Sequence, residues 1–238
     1  MALIGNRYTI IYSMKKTEAR DIILTHLFKI FDLMGFKIQK NKYRLYKKTD
    51  FGWMAIGLPM SDYNPLIKFN FLLQVRHNII NNKLEQHLNI DKRYRNETTT
   101  IVTHLCNLTE EPIPYFKSYG TYLKSNGDFE VSTLSELEIV LAAIEPYLKM
   151  GKEYFTNYSN LMNIHERLNI EHKDEMAYPY HGHIKLLVAD QCNKSSLRQI
   201  HAYNLKKMAI SLEYVRAEYI LFYEKIINLN DQLNVTNL

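Results

Sequence analysis

The sequence predicts an α+β fold, in which an antiparallel sheet of about four to six strands is covered by helices. Three observations point there. After a glycine at position 35, three short runs rich in aromatic and branched residues follow one another, at 44–48, 52–58 and 67–75, with turn residues between them. In the last run Phe69, Phe71, Leu73 and Val75 alternate with Asn70, Gln74 and Arg76, the period of a strand with one buried face. From Thr133 onward, apolar residues recur every three or four positions, which is helical spacing.

The elements can be justified in order. Residues 1–16 read as an N-terminal arm, extended over 7–13. Thr17 caps a helix over 17–34, whose stripe is Ile23, Leu27, Phe31 and Met34, and Gly35 supplies its stop. The three-run meander follows, with Trp53, Phe69 and Phe71 expected to be buried in one sheet face. A short helix covers 78–88 and a polar surface loop 89–97. Residues 98–108 read as a strand with Ile101, Thr103 and Leu105 on one side, and 120–124 as another short strand.

Thr133 and Glu136 have the spacing of a capping box, and Leu137, Val140, Leu141, Ile144 and Leu148 form the stripe behind it. Pro146 should kink that helix or end it early. A second helix, 152–168, buries Phe155, Tyr158, Leu161, Met162 and Leu168. A polar connection over 170–182 leads to a short apolar helix, 184–192. Ser196 and Gln199 offer another capping box for a long C-terminal helix over 197–233. Its seam is Leu205, Met208, Leu212, Val215, Tyr219, Phe222, Ile226, Leu229 and Leu233. The seam has two readings: a core stripe within one domain covering 17–238, or a homodimer contact through Phe222, Ile226 and Leu229.

Composition bounds the function. With 238 residues and 46% apolar side chains there is enough to build a sizeable core, and the low counts of Gly (8) and Pro (6) exclude a disordered chain. The 18 tyrosines fit half-buried edges and interfaces. A net charge of +5 is modest for a nucleic-acid binder. Cys106 and Cys192 fit no zinc or redox spacing and read as reduced thiols, which favours the cytosol. The N-terminus lacks the pattern of a signal peptide, and no apolar run approaches the ~20 residues of a membrane span.

Candidate chemistry is sparse. His181 and His183 form an H-x-H pair that would share a face on a strand, with His165, His172, Glu166, Glu171, Asp174 and Glu175 nearby. The pair lies in a polar connection, so a solvated loop is expected rather than a metal site. The basic run Lys37, Lys40, Lys42, Arg44, Lys47 and Lys48 is interleaved with Tyr43 and Tyr46, a pattern able to hold single-stranded nucleic acid by phosphate contact and stacking. Lysines on edge strands also serve to prevent edge-to-edge pairing. His104 and Cys106 would face the same side of a strand with no third group, so a core cysteine is expected. The glycines never cluster into a phosphate-cradling loop, and no carboxylates pair as acid and base. No catalytic residue and no cofactor are therefore expected.

The order of a helix, Gly35-Phe36-Lys37, a basic strand with Asn41 and Arg44, then Asp50 and an apolar strand carrying Asn70, resembles a group of uncharacterised bacterial domains of the immunity-protein type. The stretch from Ser132 to Leu141 and that from Lys152 to Leu161 resemble the same group's C-terminal half, so the likeness runs over about Thr17 to Met208. One departure is that Gly57-Leu58-Pro59 stands where the group has an aromatic and a glutamine. The resemblance implies a cytoplasmic, non-enzymatic protein that neutralises a cognate protein toxin by direct binding, without cofactor or membrane. The alternative is a nucleic-acid-associated protein using Lys42, Tyr43, Arg44, Tyr46 and Lys47. Because the chain is basic, contact with a basic toxin would need a locally acidic or mostly apolar surface.

Overall fold

Gly35 does end the first helix: α1 spans Lys16–Phe31, a single 3-10 turn covers Asp32–Met34, and Gly35 takes the left-handed conformation at φ 80°. Its start differs from expectation. The N-cap is Lys15 and no side chain caps it, so Thr17 already lies inside the helix. This computed structural model describes residues 14–88, 90, 95–119, 127–173, 180–208 and 213–235. The strands expected over 7–13 and 120–124 lie outside them.

The fold is mixed, with two antiparallel sheets where one had been expected. The strands are β1 (Lys37–Gln39), β2 (Arg44–Lys48), β3 (Gly52–Gly57), β4 (Met60–Tyr63), β5 (Leu66–Phe69), β6 (Leu72–His77), β7 (Ile101–His104), β8 (Phe116–Ser118) and β9 (Gly127–Val131). One sheet has the order β1-β2-β3-β6-β7 and the other β4-β5-β9-β8. The run read as one strand over 67–75 therefore changes sheets at Asn70. There the side chain replaces ladder partners: its Nδ2 donates to the Gly127 carbonyl (2.6 Å) and its Oδ1 accepts from the Phe71 amide (2.7 Å). Alternation misled for a second reason. Phe69, Phe71, Leu73 and Val75 are buried as expected, but so are Asn70 and Arg76 on the other side.

Two compact units share the chain. One comprises 1–46, 56–72 and 104–152; the other comprises 47–55, 73–103 and 153–238. In the first, α1 contributes Ile23, Leu24, Leu27 and Phe31 to the core, and the inner face of the four-stranded sheet contributes Ile67, Phe69, Phe129 and Val131. Phe69 stacks on Phe129 with centroids 5.4 Å apart. The capping box forms as read: Thr133 Oγ1 accepts from the Glu136 amide (3.2 Å), and Glu136 Oε2 accepts from the Thr133 amide (3.3 Å). It opens α3 (Leu134–Tyr158), the longest helix, whose stripe Leu137, Val140, Leu141, Ile144 and Leu148 is buried. Pro146 lies inside α3 and does not end it. Pro146 and Ala142, whose carbonyl loses its donor, are both exposed, so the missing N–H falls on the solvent side of the helix, where its loss is least costly.

The second unit departs further from expectation. After α2 (Asn78–His87), placed as predicted, the helix expected over 152–168 is divided. Asn160 accepts from the Met162 amide (2.9 Å) and starts α4 (Leu161–His165), which runs into a π turn over Glu166–Ile170. Met162, expected in the core, is exposed. Helix α5 (His181–Cys192) is buried from Gly182 to Asp190, and it carries His183, Lys185 and Asp190 into the interior beside the apolar residues Ile184, Leu186, Leu187 and Val188.

The long C-terminal helix is two helices, α6 (Leu197–Lys207) and α7 (Glu213–Val235), and the Ser196 hydroxyl bonds the Asn193 carbonyl rather than capping α6. Each helix packs on α5 with its own stripe, Leu197, Ile200 and Asn204 on α6, and Tyr219, Phe222 and Ile226 on α7. Asn204 Nδ2 ties them together by donating to the Gly182 carbonyl (3.1 Å) and the Tyr219 hydroxyl (2.9 Å). A Cβ on Gly182 would come within 2.7 Å of the terminal methyl of Met208 and 3.2 Å of the Tyr219 ring, so a larger residue there would require the Met208 side chain to move.

A fully buried Arg76 organises the same unit. Its Nη1 donates to Glu85 (2.7 Å), the Thr98 hydroxyl (2.6 Å) and the Thr98 carbonyl (3.0 Å); Nη2 donates to Asn82 (2.7 Å) and Nε to Asn78 (3.0 Å). Burial pushes the Glu85 carboxyl up, but hydrogen bonds from Arg76, Thr98 and the Asn96 amide outweigh it and hold the group below its ordinary value. Truncating Arg76→Ala should cost about 3–5 kcal/mol, because it strands a buried carboxylate. Arg76→Lys should restore little of this, because an ammonium cannot span the same acceptors. Urea unfolding followed by fluorescence of Trp53, the single tryptophan and a residue of this unit, measures both.

Candidate binding surfaces

The outer face of the four-stranded sheet gathers charges and tyrosines that are far apart in sequence. Register sets Lys68 opposite Glu130, and Tyr63 opposite Leu66, so Tyr63, Lys68 and Glu130 share one face. Lys68 Nζ lies 2.9 Å from Glu130 Oε1 and donates to the Tyr119 hydroxyl (2.9 Å), which in turn donates to Glu130 (2.6 Å). Lys117 donates to the other Glu130 oxygen. Hydrogen bonds from Lys117, Tyr119 and Lys68 hold the Glu130 carboxyl at about 2, and those to Tyr119 and Glu130 raise the Lys68 ammonium. The ammonium sits 5.3 Å from the ring centre of Tyr63 and 4.6 Å from that of Tyr119. Tyr63 and Tyr119 remain 64% and 52% exposed. The result is a fixed charged centre flanked by two open aromatic surfaces. Sequence reading missed it because Gly127–Val131 was not recognised as a strand; the alternation of Gly127, Phe129 and Val131 with Asp128 and Glu130 was the available signal.

A second concavity lies between α1 and α3 in the same unit, a groove of about 760 Å³. Ile22, Leu141 and Ala142 contribute its apolar lining, and Glu18, Asp21, Glu138 and Glu145 its carboxylates, against the single lysine Lys29. Asp21 is paired with Arg20 (2.8 Å) and Lys40 (3.1 Å), and Glu145 with Lys149 (2.7 Å). Glu18 and Glu138 form no ion pair among the described residues. His26 approaches Glu145 at 4.0 Å, burial lowers its pKa, and its Nε2 is buried without a hydrogen bond among the described residues. Helical spacing on α1 and on α3 could have revealed these faces, had the polar side of each helix been traced as closely as the apolar one.

The basic run does not present an open patch. Lys42 is exposed, Tyr43, Tyr46 and Lys47 are half-buried, and Arg44 is buried. Arg44 donates to Gln39 (2.8 Å) and lies 4.8 Å over the Tyr46 ring, while Lys16 and Arg20 lie 5.7 and 5.2 Å over Tyr43. Cations of the chain itself thus already occupy a face of each tyrosine that a nucleobase would need. Phe222 and Ile226, the seam residues, are buried within the chain, and Phe222 meets His87 and His183 edge-on at 5.5 and 4.8 Å. The Leu229 side chain lies outside the described residues. Cys106 and Cys192 are free thiols. No helix among the described residues is long and apolar enough to cross a membrane.

The H-x-H pair is helical, not extended, so His181 and His183 diverge. No group of three or more His, Cys, Asp or Glu able to hold a metal occurs among the described residues; Asp174 and Glu175 lie outside them. His183 is buried among Tyr180, Tyr219 and Phe222, and neither ring nitrogen has a hydrogen-bond partner among the described residues. Burial pushes its pKa down to about 4 from an ordinary 6.5. Burial also lowers His77, His87, His165 and His201 in the same unit.

A group whose pKa falls on folding stabilises the fold above its unfolded value and loses that contribution as pH drops. Between pH 6.5 and about 4, protonation of His183 in the unfolded chain should remove roughly 3 kcal/mol. Acid unfolding followed by Trp53 fluorescence should therefore begin below about pH 6.5, and His183→Phe should move its midpoint to lower pH. An unchanged profile in the variant would remove His183 as the cause.

Comparison with protein-family models, with curated proteins and with solved structures finds no match to this chain.

Proposed function

We propose that this chain is a non-enzymatic binding protein of the immunity type, acting in the cytoplasm, which neutralises a cognate protein toxin by direct contact. The observation that supports this reading is the Tyr63–Lys68–Tyr119 surface. Exposed tyrosines supply large contact area at small entropic cost, and they are favoured where proteins meet. Here a lysine and a glutamate already bound to each other hold the site in place. A partner that docks on this face finds its polar centre ordered in advance, so less entropy is lost on binding. The chain's own residues provide all of these contacts, and the role calls for no cofactor.

The experiment is co-expression with the polypeptide encoded beside this chain. Cells producing that polypeptide should grow only when the chain is present, and the two purified proteins should form a complex. Tyr63→Ala with Tyr119→Ala should weaken the complex about 30-fold or more, the loss expected for interface hot spots. Its melting temperature should stay close to that of the unaltered chain, because both rings are exposed. Absence of both protection and complex would overturn the reading; an intact complex in the double variant would move the contact off this face.

A further inference from the structure

We infer that the groove between α1 and α3 is a second docking surface, which accepts a cationic amphipathic helix of the protein partner. The inference rests on the binding role proposed above, but it concerns a different surface of the first unit. Three observations carry it. The groove runs between two helices, and its α1 side is formed by Glu18, Asp21, Ile22, Thr25 and Lys29 at successive helical spacings, its α3 side by Glu138, Leu141, Ala142 and Glu145. Parallel rows of this kind accept a third helix whose side chains fit between them. The apolar lining includes Ala142, which is exposed and small enough to admit a close approach.

The charge is the second observation. Four carboxylates and one lysine line the groove; Asp21 is paired with Arg20 and Lys40 and Glu145 with Lys149, so the acidic character open to a partner rests on Glu18 and Glu138. Glu18 and Glu138 are exposed and make no ion pair among the described residues, leaving both to engage an incoming Lys or Arg. Third, burial lowers the pKa of His26, which favours the neutral ring and so sets little positive charge at the groove against an incoming cation. The occupant that matches all three has an apolar stripe at helical spacing with lysines or arginines on its flanks.

The test uses the full chain and a defined probe, a fluorescent leucine–lysine amphipathic peptide of about four turns, beside its leucine–glutamate counterpart. The lysine peptide should bind, more weakly as salt rises, and the glutamate peptide should not. Glu18→Lys with Glu138→Lys should weaken binding tenfold or more. Glu153→Lys with Glu218→Lys, exposed residues of the second unit, makes the same change in net charge and should leave binding nearly unaltered. Equal loss in the two pairs would overturn the proposal in favour of general attraction, as would equal binding of the two peptides or no binding. A chain that self-associates by light scattering, and becomes monomeric in the Glu18→Lys and Glu138→Lys variant, would overturn it in favour of a second copy in the groove. Loss of peptide binding in the Glu18→Lys and Glu138→Lys variant with the toxin complex unweakened would overturn the groove as a docking surface for that partner, while the tyrosine face stands. Peptide binding that survives when no toxin is found leaves the groove standing while the proposed role falls.

Discussion

The second unit depends on one constraint, the burial of the Arg76 guanidinium. A charge removed from water is costly unless every polar atom around it is matched, and a matched set fixes geometry more than it adds stability. All three guanidinium nitrogens are engaged, by Asn78, Asn82 and Glu85 from α2 and by Thr98 from the segment before β7. The network continues beyond the arginine: Asn81 Nδ2 donates to Thr98 (3.0 Å), Thr100 donates to Asn81, and the His77 amide donates to Thr100 (2.7 Å). These residues lock the end of β6, the whole of α2 and the return of the chain toward β7 into one arrangement. Slippage of any of them by one residue would leave a buried charge without its partner. Trp53 completes the enclosure, its indole N–H donating to the Asn96 carbonyl (3.0 Å) beside the Glu85 contact to the Asn96 amide.

Where local chemistry decided the structure, the sequence was readable. The Gly35 stop and the Thr133–Glu136 box depend on contacts within a few residues and stand where their spacing places them, as do the stripe of α3 and that of α1 from Ile23 to Phe31; Met34, expected to end the α1 stripe, lies in the 3-10 turn beyond the helix and is only half-buried. Where distant contacts decided it, the sequence was silent. Nothing between Ile67 and Val75 announces a change of sheet, because the determinant is a hydrogen bond from Asn70 to Gly127, which lies 57 positions away. Likewise no breaker separates α6 from α7. Both helices bury their stripes on α5. Burial on both faces also hid the true pattern of β6, since a buried arginine and a buried valine look like opposite sides of an amphipathic strand.

The candidate surfaces divide in the same way. The basic stretch at 37–48 was conspicuous in sequence because its lysines and tyrosines are adjacent, and proximity in sequence suggested a shared function. In the folded unit, Arg44, Tyr43 and Tyr46 instead satisfy one another and α1, so the prominent motif is largely absorbed into structure. The tyrosine face was invisible in sequence because Tyr63, Lys68, Tyr119 and Glu130 come from separate segments, and only strand register unites them. The groove occupies an intermediate position. Each of its walls is a helical face that could be drawn from sequence, but the pairing of α1 with α3 could not.

Every residue of the tyrosine face and of the groove belongs to the first unit, whereas the Arg76 network and five of the histidines whose pKa burial lowers, His77, His87, His165, His183 and His201, belong to the second; His26 and His104, lowered in the same way, belong to the first. This division has a physical consequence. Surface residues such as Tyr63, Glu18 and Glu138 support few internal contacts, so their substitution tests recognition with little effect on stability, and the hydrogen bonds of Tyr119 to Lys68 and Glu130 lie in an exposed site. The buried polar groups of the second unit behave in the opposite way. Their hydrogen-bond partners are fixed and their protonation is coupled to folding, so a change there alters stability before it alters any surface. The two kinds of variant can therefore be read independently. A loss of partner binding after a first-unit surface change reports on recognition, and a change in acid unfolding after a substitution such as His183→Phe reports on the buried group that was replaced.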